Sequence, residues 1–229
     1  MSASVAALRA LVEQRFPDAL PITHRSTAVA TGLPPLDRIL PSGGLPRGRL
    51  SAWTSHGGAS AILRAACLTS IVAGERATWI DGLGAVAGAF WQDGPMLLRP
   101  KSPAHALRAT EEVLRSGGFS LVVLSGVEPG RTETVRLTRA AHEGGAALVT
   151  LARETQMASL RLTSRFLPHG YRWHRDPFGG PAMAHLAVVR VRAQAPGWNA
   201  QADLTIPILY DELRLSLEPS LVDRRGVRR

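Results

Sequence analysis

The chain has 229 residues, 45% hydrophobic and 20% charged, which is the profile of a globular protein able to bury a core and excludes a disordered one. No apolar run approaches the roughly 18 residues a membrane-spanning helix needs, and the single cysteine, Cys67, excludes an internal disulfide and suits a reducing cytoplasm. Lys and Arg number 27 against 18 Asp and Glu, a formal charge of +9, and Lys101 is the only lysine, so the basic surface is almost wholly arginine; its planar fork suits phosphate or carboxylate, and base composition alone also produces such a bias.

In chain order, residues 4–16 place Val5, Leu8, Leu11 or Val12, and Phe16 on one helical stripe that Pro17 ends. No cleavage signature accompanies it, so a signal peptide is not expected. Residues 1–22 read as a helix and linker, packed on its own domain or on a neighbouring copy. A turn at Gly43-Gly44 leads into a short strand over 49–53, a glycine-bearing loop and a helix over 60–73. That helix is apolar on nearly all sides, with Arg64 its only charge, as expected of one buried against a sheet. A strand over 77–81, a helix over 85–91 and a short strand over 96–99 follow.

Ser102-Pro103 then opens a helix that Gly117-Gly118 stops, with Glu111 four residues before Arg115. Residues 120–124 are a continuous apolar strand of the kind buried on both faces of a parallel sheet. A helix over 132–142 and another buried strand over 146–151 continue the rhythm, which argues a mostly parallel central sheet flanked by helices. Over 154–166 the spacing of Met157, Leu160, Leu162 and Phe166 predicts a helix. The last third changes character. Residues 171–175, 184–192 and 213–217 alternate apolar and polar, reading as half-exposed antiparallel strands, and Pro207 makes its own segment an edge or a break. Residues 23–218 thus form one α/β domain, followed by a basic tail over 219–229 that lacks the apolar surface to order itself.

The chemistry centres on Ser55, His56, Gly57, Gly58, Ala59 and Ser60, between a strand and a helix N-terminus. That order is how a chain cradles phosphate, and a working loop has Gly-x-x-x-x-Gly-Lys-Ser/Thr. Here Gly58 and the Ser60 hydroxyl remain, while Ala59 stands at the lysine position and the opening glycine is missing. Before the loop, Thr31-Gly32 with Leu36-Asp37 and Leu40, then Gly43-Gly44-Leu45-Pro46-Arg47-Gly48-Arg49, resembles the preamble of RecA and more closely of the ImuA family, RecA-like accessory proteins of bacterial mutagenesis.

The resemblance implies a RecA-like core and places an activating glutamate at Leu83, a magnesium-binding aspartate at Ser125 and a sensor beyond Leu151, where Glu154 is the nearby carboxylate. With lysine, glutamate and aspartate all replaced, no ATP hydrolysis and no cofactor are expected. The resemblance implies a cytoplasmic scaffold for error-prone translesion synthesis after DNA damage. Its partners would be an ImuB-like polymerase-family protein, an error-prone polymerase and RecA. A DNA-binding recombination mediator and a SulA-like division inhibitor stay open as alternatives.

Other candidates are weaker. The seven histidines show no i,i+4 pair and no cysteine at zinc spacing, so no metal is expected. Arg131, Arg136 and Arg139 lie on or beside one helix, a phosphate patch or simply a solvated face. Arg153, Arg161 and Arg165 cover the region where RecA places a DNA-binding loop. In the tail, Leu221 and Val222 precede Arg224, Arg225, Arg228 and Arg229, an apolar anchor beside a basic cluster that fits a protein partner or weak DNA binding.

Overall fold

The computed structural model describes residues 27–86, 91, 94–152, 155 and 157–208. The expected helix over 4–16, most of that over 85–91, Arg153 and Glu154, the strand over 213–217 and the tail with Leu221, Val222 and its arginines lie outside the described residues.

A small antiparallel ribbon pairs β1 (Ala28–Val29) with β2 (Leu45–Pro46), and α1 (Pro34–Ile39) lies between them in sequence. Then follow β3 (Leu50–His56), α2 (Ala59–Val72), β4 (Ala77–Asp81), β5 (Met96–Leu98), α3 (Pro103–Arg115), β6 (Leu121–Ser125), α4 (Arg131–Gly144) and β7 (Ala147–Leu151). The chain continues through β8 (Leu160–Phe166), β9 (Arg172–Arg175), β10 (Pro181–Ala195) and β11 (Trp198–Pro207). Nine strands form one sheet in the order β11-β10-β8-β3-β7-β6-β4-β5, with β9 also paired to β10. From β8 through β3 to β5 every pairing is parallel, while β10 runs antiparallel to β8, β9 and β11. This mixed α/β architecture is consistent with a RecA-like fold.

Alternation along β6 divides the core. Leu121 and Val123 belong to one core layer with Leu36 of α1 and Ile62, Leu63 and Cys67 of α2, while Val122 and Leu124 belong to the other with Ala106 and Leu114 of α3 and Leu137 of α4. All four β6 residues are fully buried, each contributing about 1.5–3 kcal/mol relative to exposure. The helices end as their chemistry dictates. Ser102 caps α3 by accepting a hydrogen bond from the His105 N–H at 3.3 Å, with Pro103 opening the first turn. Gly145 closes α4 in the left-handed conformation.

The predicted helix over 154–166 is corrected: from Leu160 the chain is a strand. Leu160, Leu162 and Ser164 are buried, whereas Arg161, Thr163 and Arg165 point to solvent, a period of two. The buried polar member hides the pattern. Ser164 sits at a core position because its Oγ accepts a hydrogen bond from the Trp53 Nε1–H at 3.0 Å, satisfying both polar groups. The expected edge is present, since β11 is the outermost strand and ends at Pro207, where a missing N–H costs no ladder bond. Trp198, 41% exposed at its start, donates from Nε1 to the Ile39 carbonyl at 2.8 Å and ties the β10–β11 hairpin to α1.

The first core layer runs on under the antiparallel strands through Val189, Val191, Leu204 and Ile206, but the second stops near β3. Among the described residues no helix covers the second face of β8, β10 and β11.

Candidate functional site

β3 stays in register with β8 as far as His56 opposite Arg165, so Ser55 and His56 belong to the strand and not, as expected, to the loop. The connection shrinks to Gly57 and Gly58, at φ 118° and 80°, and α2 begins at Ala59. Only glycine suits both positions. A Cβ on Gly57 would lie 2.3 Å from the Phe166 ring, and one on Gly58 would lie 2.6 Å from the Val189 side chain. The turn is therefore pressed against β8 and β10. The Gly57 N–H already donates to Ser55 Oγ at 3.2 Å.

Ala59, at the expected lysine position, is the first residue of α2 and fully buried in the core, while Ser60 is exposed. A phosphate cradle needs a run of free amides and a lysine reaching over it. This two-residue turn, with one amide occupied and a buried methyl group at the lysine position, does not fit a nucleotide's phosphates.

The neighbouring strand ends are equally committed. Asp81 is buried at the end of β4, where Oδ2 accepts a hydrogen bond from the Val86 N–H at 2.7 Å, a turn cap. Leu83, at the glutamate position, is 74% exposed. Ser125 is buried; its Oγ accepts from the Trp79 Nε1–H at 2.8 Å and donates to the Ile80 carbonyl at 3.4 Å. The hydroxyl at the aspartate position thus serves an indole. Thr54, His56, Leu83, Glu128 and Leu151 line an open cleft of about 830 Å³ at these strand ends, the place where open α/β sheets bind ligands. Among the described residues no group of three metal-ligating side chains occurs.

The α4 arginines separate. Arg136 pairs with Glu111 on α3, which also takes Arg115 at 2.9 Å, and Arg139 pairs with Glu143 at 2.8 Å. Arg131 is exposed at the start of the helix. Arg136 and Arg139 thus serve carboxylates of the protein itself. Arg139 also borders a groove of about 530 Å³ between α4 and the entry to β8, with Val135, Met157 and Ser159. Burial pushes the Cys67 thiol up to about 12, which makes it inert at neutral pH.

Two features have no counterpart among the expectations from sequence. The preamble is a structural clip: Asp37 Oδ1 accepts from the Thr31 N–H at 3.0 Å and from Thr31 Oγ1 at 2.8 Å. A Cβ on Gly32 would meet Thr69 of α2 at 2.0 Å, so α1 and α2 lock together through this glycine. Second, Arg190 and Arg192 of β10 join Arg161 and Arg165 on one sheet face. Their alternation with Val189, Val191 and Ala193 is the signal that could have found them.

No protein-family model matches the chain, and no curated protein matches it. No helix among the described residues is long and apolar enough to cross a membrane.

Proposed function

We propose that this chain is a non-catalytic RecA-like accessory protein of error-prone translesion synthesis, a rigid scaffold whose partners are an ImuB-like polymerase-family protein, an error-prone polymerase and RecA. The observation that carries the reading is the closed turn at Gly57-Gly58 with Ala59 buried beneath it, inside a fold whose preamble clip is intact. Scaffold and preamble persist, while Ala59 is taken by packing, Ser125 by hydrogen bonds to the protein itself, and Leu83 offers only an exposed aliphatic side chain. Such a body offers partners fixed surfaces that no nucleotide cycle switches.

The purified chain should show no ATP turnover with or without single-stranded DNA, and should capture an ImuB-like protein from the same genome. Turnover that Ser60→Ala abolishes overturns the non-catalytic part of this reading. Failure to form any complex with the polymerase-family protein overturns the scaffold part.

A further inference from the structure

On the face of β8, β10 and β11 that no described helix covers, strand register assembles a cluster of arginines. Arg165 stands directly opposite Arg190, Thr163 opposite Arg192, and Arg161 opposite Gln194. On the other side of β8, Thr54 and His56 of β3 lie beside Thr163 and Arg165. Directly opposed residues in such pairs sit about 4.5–5.5 Å apart and diagonal ones about 7–8 Å, so Arg192 has both Arg161 and Arg165 as diagonal neighbours. Like charges so placed destabilise a sheet.

One of the four is neutralised. Arg190 donates from Nε and Nη2 to the two oxygens of Asp203 on β11, at 2.7 and 2.8 Å. Arg161, Arg165 and Arg192 have no ion-pair partner among the described residues, and all three are exposed or half-exposed. Contrast Arg47, Arg108, Arg115, Arg136 and Arg139, each of which has a carboxylate. Other basic residues also lack an ion pair, but strand register brings these three guanidinium groups side by side where the fold leaves a sheet face bare.

We propose that this face binds the phosphate backbone of single-stranded nucleic acid. Arg161, Arg192 (opposite Thr163) and Arg165 follow one another along the strand direction in steps of about 6.6 Å, two residues of strand rise. That is the scale on which phosphates succeed one another along one extended backbone, and the guanidinium fork matches their oxygens. Between the arginines stand Thr163, Gln194 and Thr54, hydrogen-bonding side chains without the aromatic or aliphatic anchor a protein interface uses at its centre. A single file of cations suits one strand, whereas a duplex presents two backbones across a groove. The scaffold reading is tested by ATP turnover and capture of the polymerase-family protein and this one by salt-dependent nucleic-acid binding, so the two fail separately.

The test uses the full chain and a fluorescently labelled oligothymidine in a salt series. Arg161→Gln/Arg165→Gln/Arg192→Gln should weaken binding at least about tenfold and lower the salt slope by about 2, at roughly 0.7 for each phosphate no longer neutralised. A control that removes as many charges elsewhere, Arg38→Gln/Lys101→Gln/Arg108→Gln, should change affinity less than about twofold, the scale of a long-range charge effect screened by salt. Equal losses in the two variants, or unchanged binding by the first, overturn the proposal. So does tighter binding to a duplex of the same length.

Should the first variant melt early, the wild-type protein decides. Oligothymidine should shield Arg161, Arg165 and Arg192 from phenylglyoxal while leaving Arg38 and Arg108 reactive. Unshielded sheet arginines overturn the assignment.

Discussion

In β6 four consecutive side chains, Leu121 to Leu124, are fully buried; in β8 Leu160 and Leu162 are buried while Arg161 and Arg165 stand in solvent. Both strands belong to one sheet. The difference is that α3 and α4 cover the second face of the parallel half and no described helix covers that of the antiparallel half. The parallel half is thereby fixed by packing on both sides and has little freedom in its side chains. The antiparallel half needs only one apolar face to hold its place, which leaves every second residue free to vary in chemistry. Surface function in this fold is expected where the layer is missing, and the Gly57-Gly58 turn lies at the junction between the halves.

The sharpest break of that contrast is made at the junction itself. Ala59 is fully buried, so Ala59→Lys places a charged side chain in the core and should cost about 3 kcal/mol or more, without conferring nucleotide binding. Chemical denaturation measures the first part and nucleotide titration with magnesium the second. A variant as stable as the wild type would mean the loop has room that its packing denies.

Next in size is a matched pair of truncations. Trp53→Ala removes a buried indole and leaves Ser164 without its donor, and should cost about 3–5 kcal/mol. Thr163→Ala, next to Ser164 but on the bare face, should stay within about 0.5 kcal/mol. Comparable losses from both would show that something covers the face.

The smallest effect concerns Asp203. Hydrogen bonds from Arg190 hold its carboxyl below the usual aspartate value, with the guanidinium charge adding to the effect. The pair's contribution is therefore complete above the ordinary aspartate value of about 4 and fades as pH falls through the lowered one. Because the pair is solvent-exposed, the melting temperature of Asp203→Asn should lie only slightly below that of the wild type at neutral pH. The two curves should converge in acid. A gap that persists at low pH would assign Asp203 a role beyond neutralising Arg190.

Legibility in the sequence follows the same division. The parallel strands are continuous apolar runs separated by helices with ordinary caps, and 120–124 and 146–151 can be read from hydropathy alone. β8 cannot, because Ser164 breaks its apolar alternation and the reason for that serine, Trp53, lies 111 residues earlier. Ser55 and His56 look like loop residues for a related reason: they extend β3 only because β8 is there to pair with them. The three replaced positions, Ala59 in the loop and Leu83 and Ser125 at neighbouring strand ends, are visible as residue types. Ser125 bonding the Trp79 indole and the closure of the turn by Phe166 and Val189 depend on contacts that no local pattern encodes.

Four of the five tryptophans follow the same split, with the half-buried Trp91 packed against Trp79 the exception, and they give the protein its own optical probes. Trp53 and Trp79 are buried with their indole N–H groups bonded to serines, whereas Trp173 on β9 and Trp198 on β11 are 50% and 41% exposed. An anionic quencher such as iodide, drawn to a positively charged surface, can therefore reach emission from the antiparallel half while that from the buried pair persists. Once Trp91 is replaced by Phe, time-resolved fluorescence can thus follow the fate of one half of the sheet against the other, with no label attached.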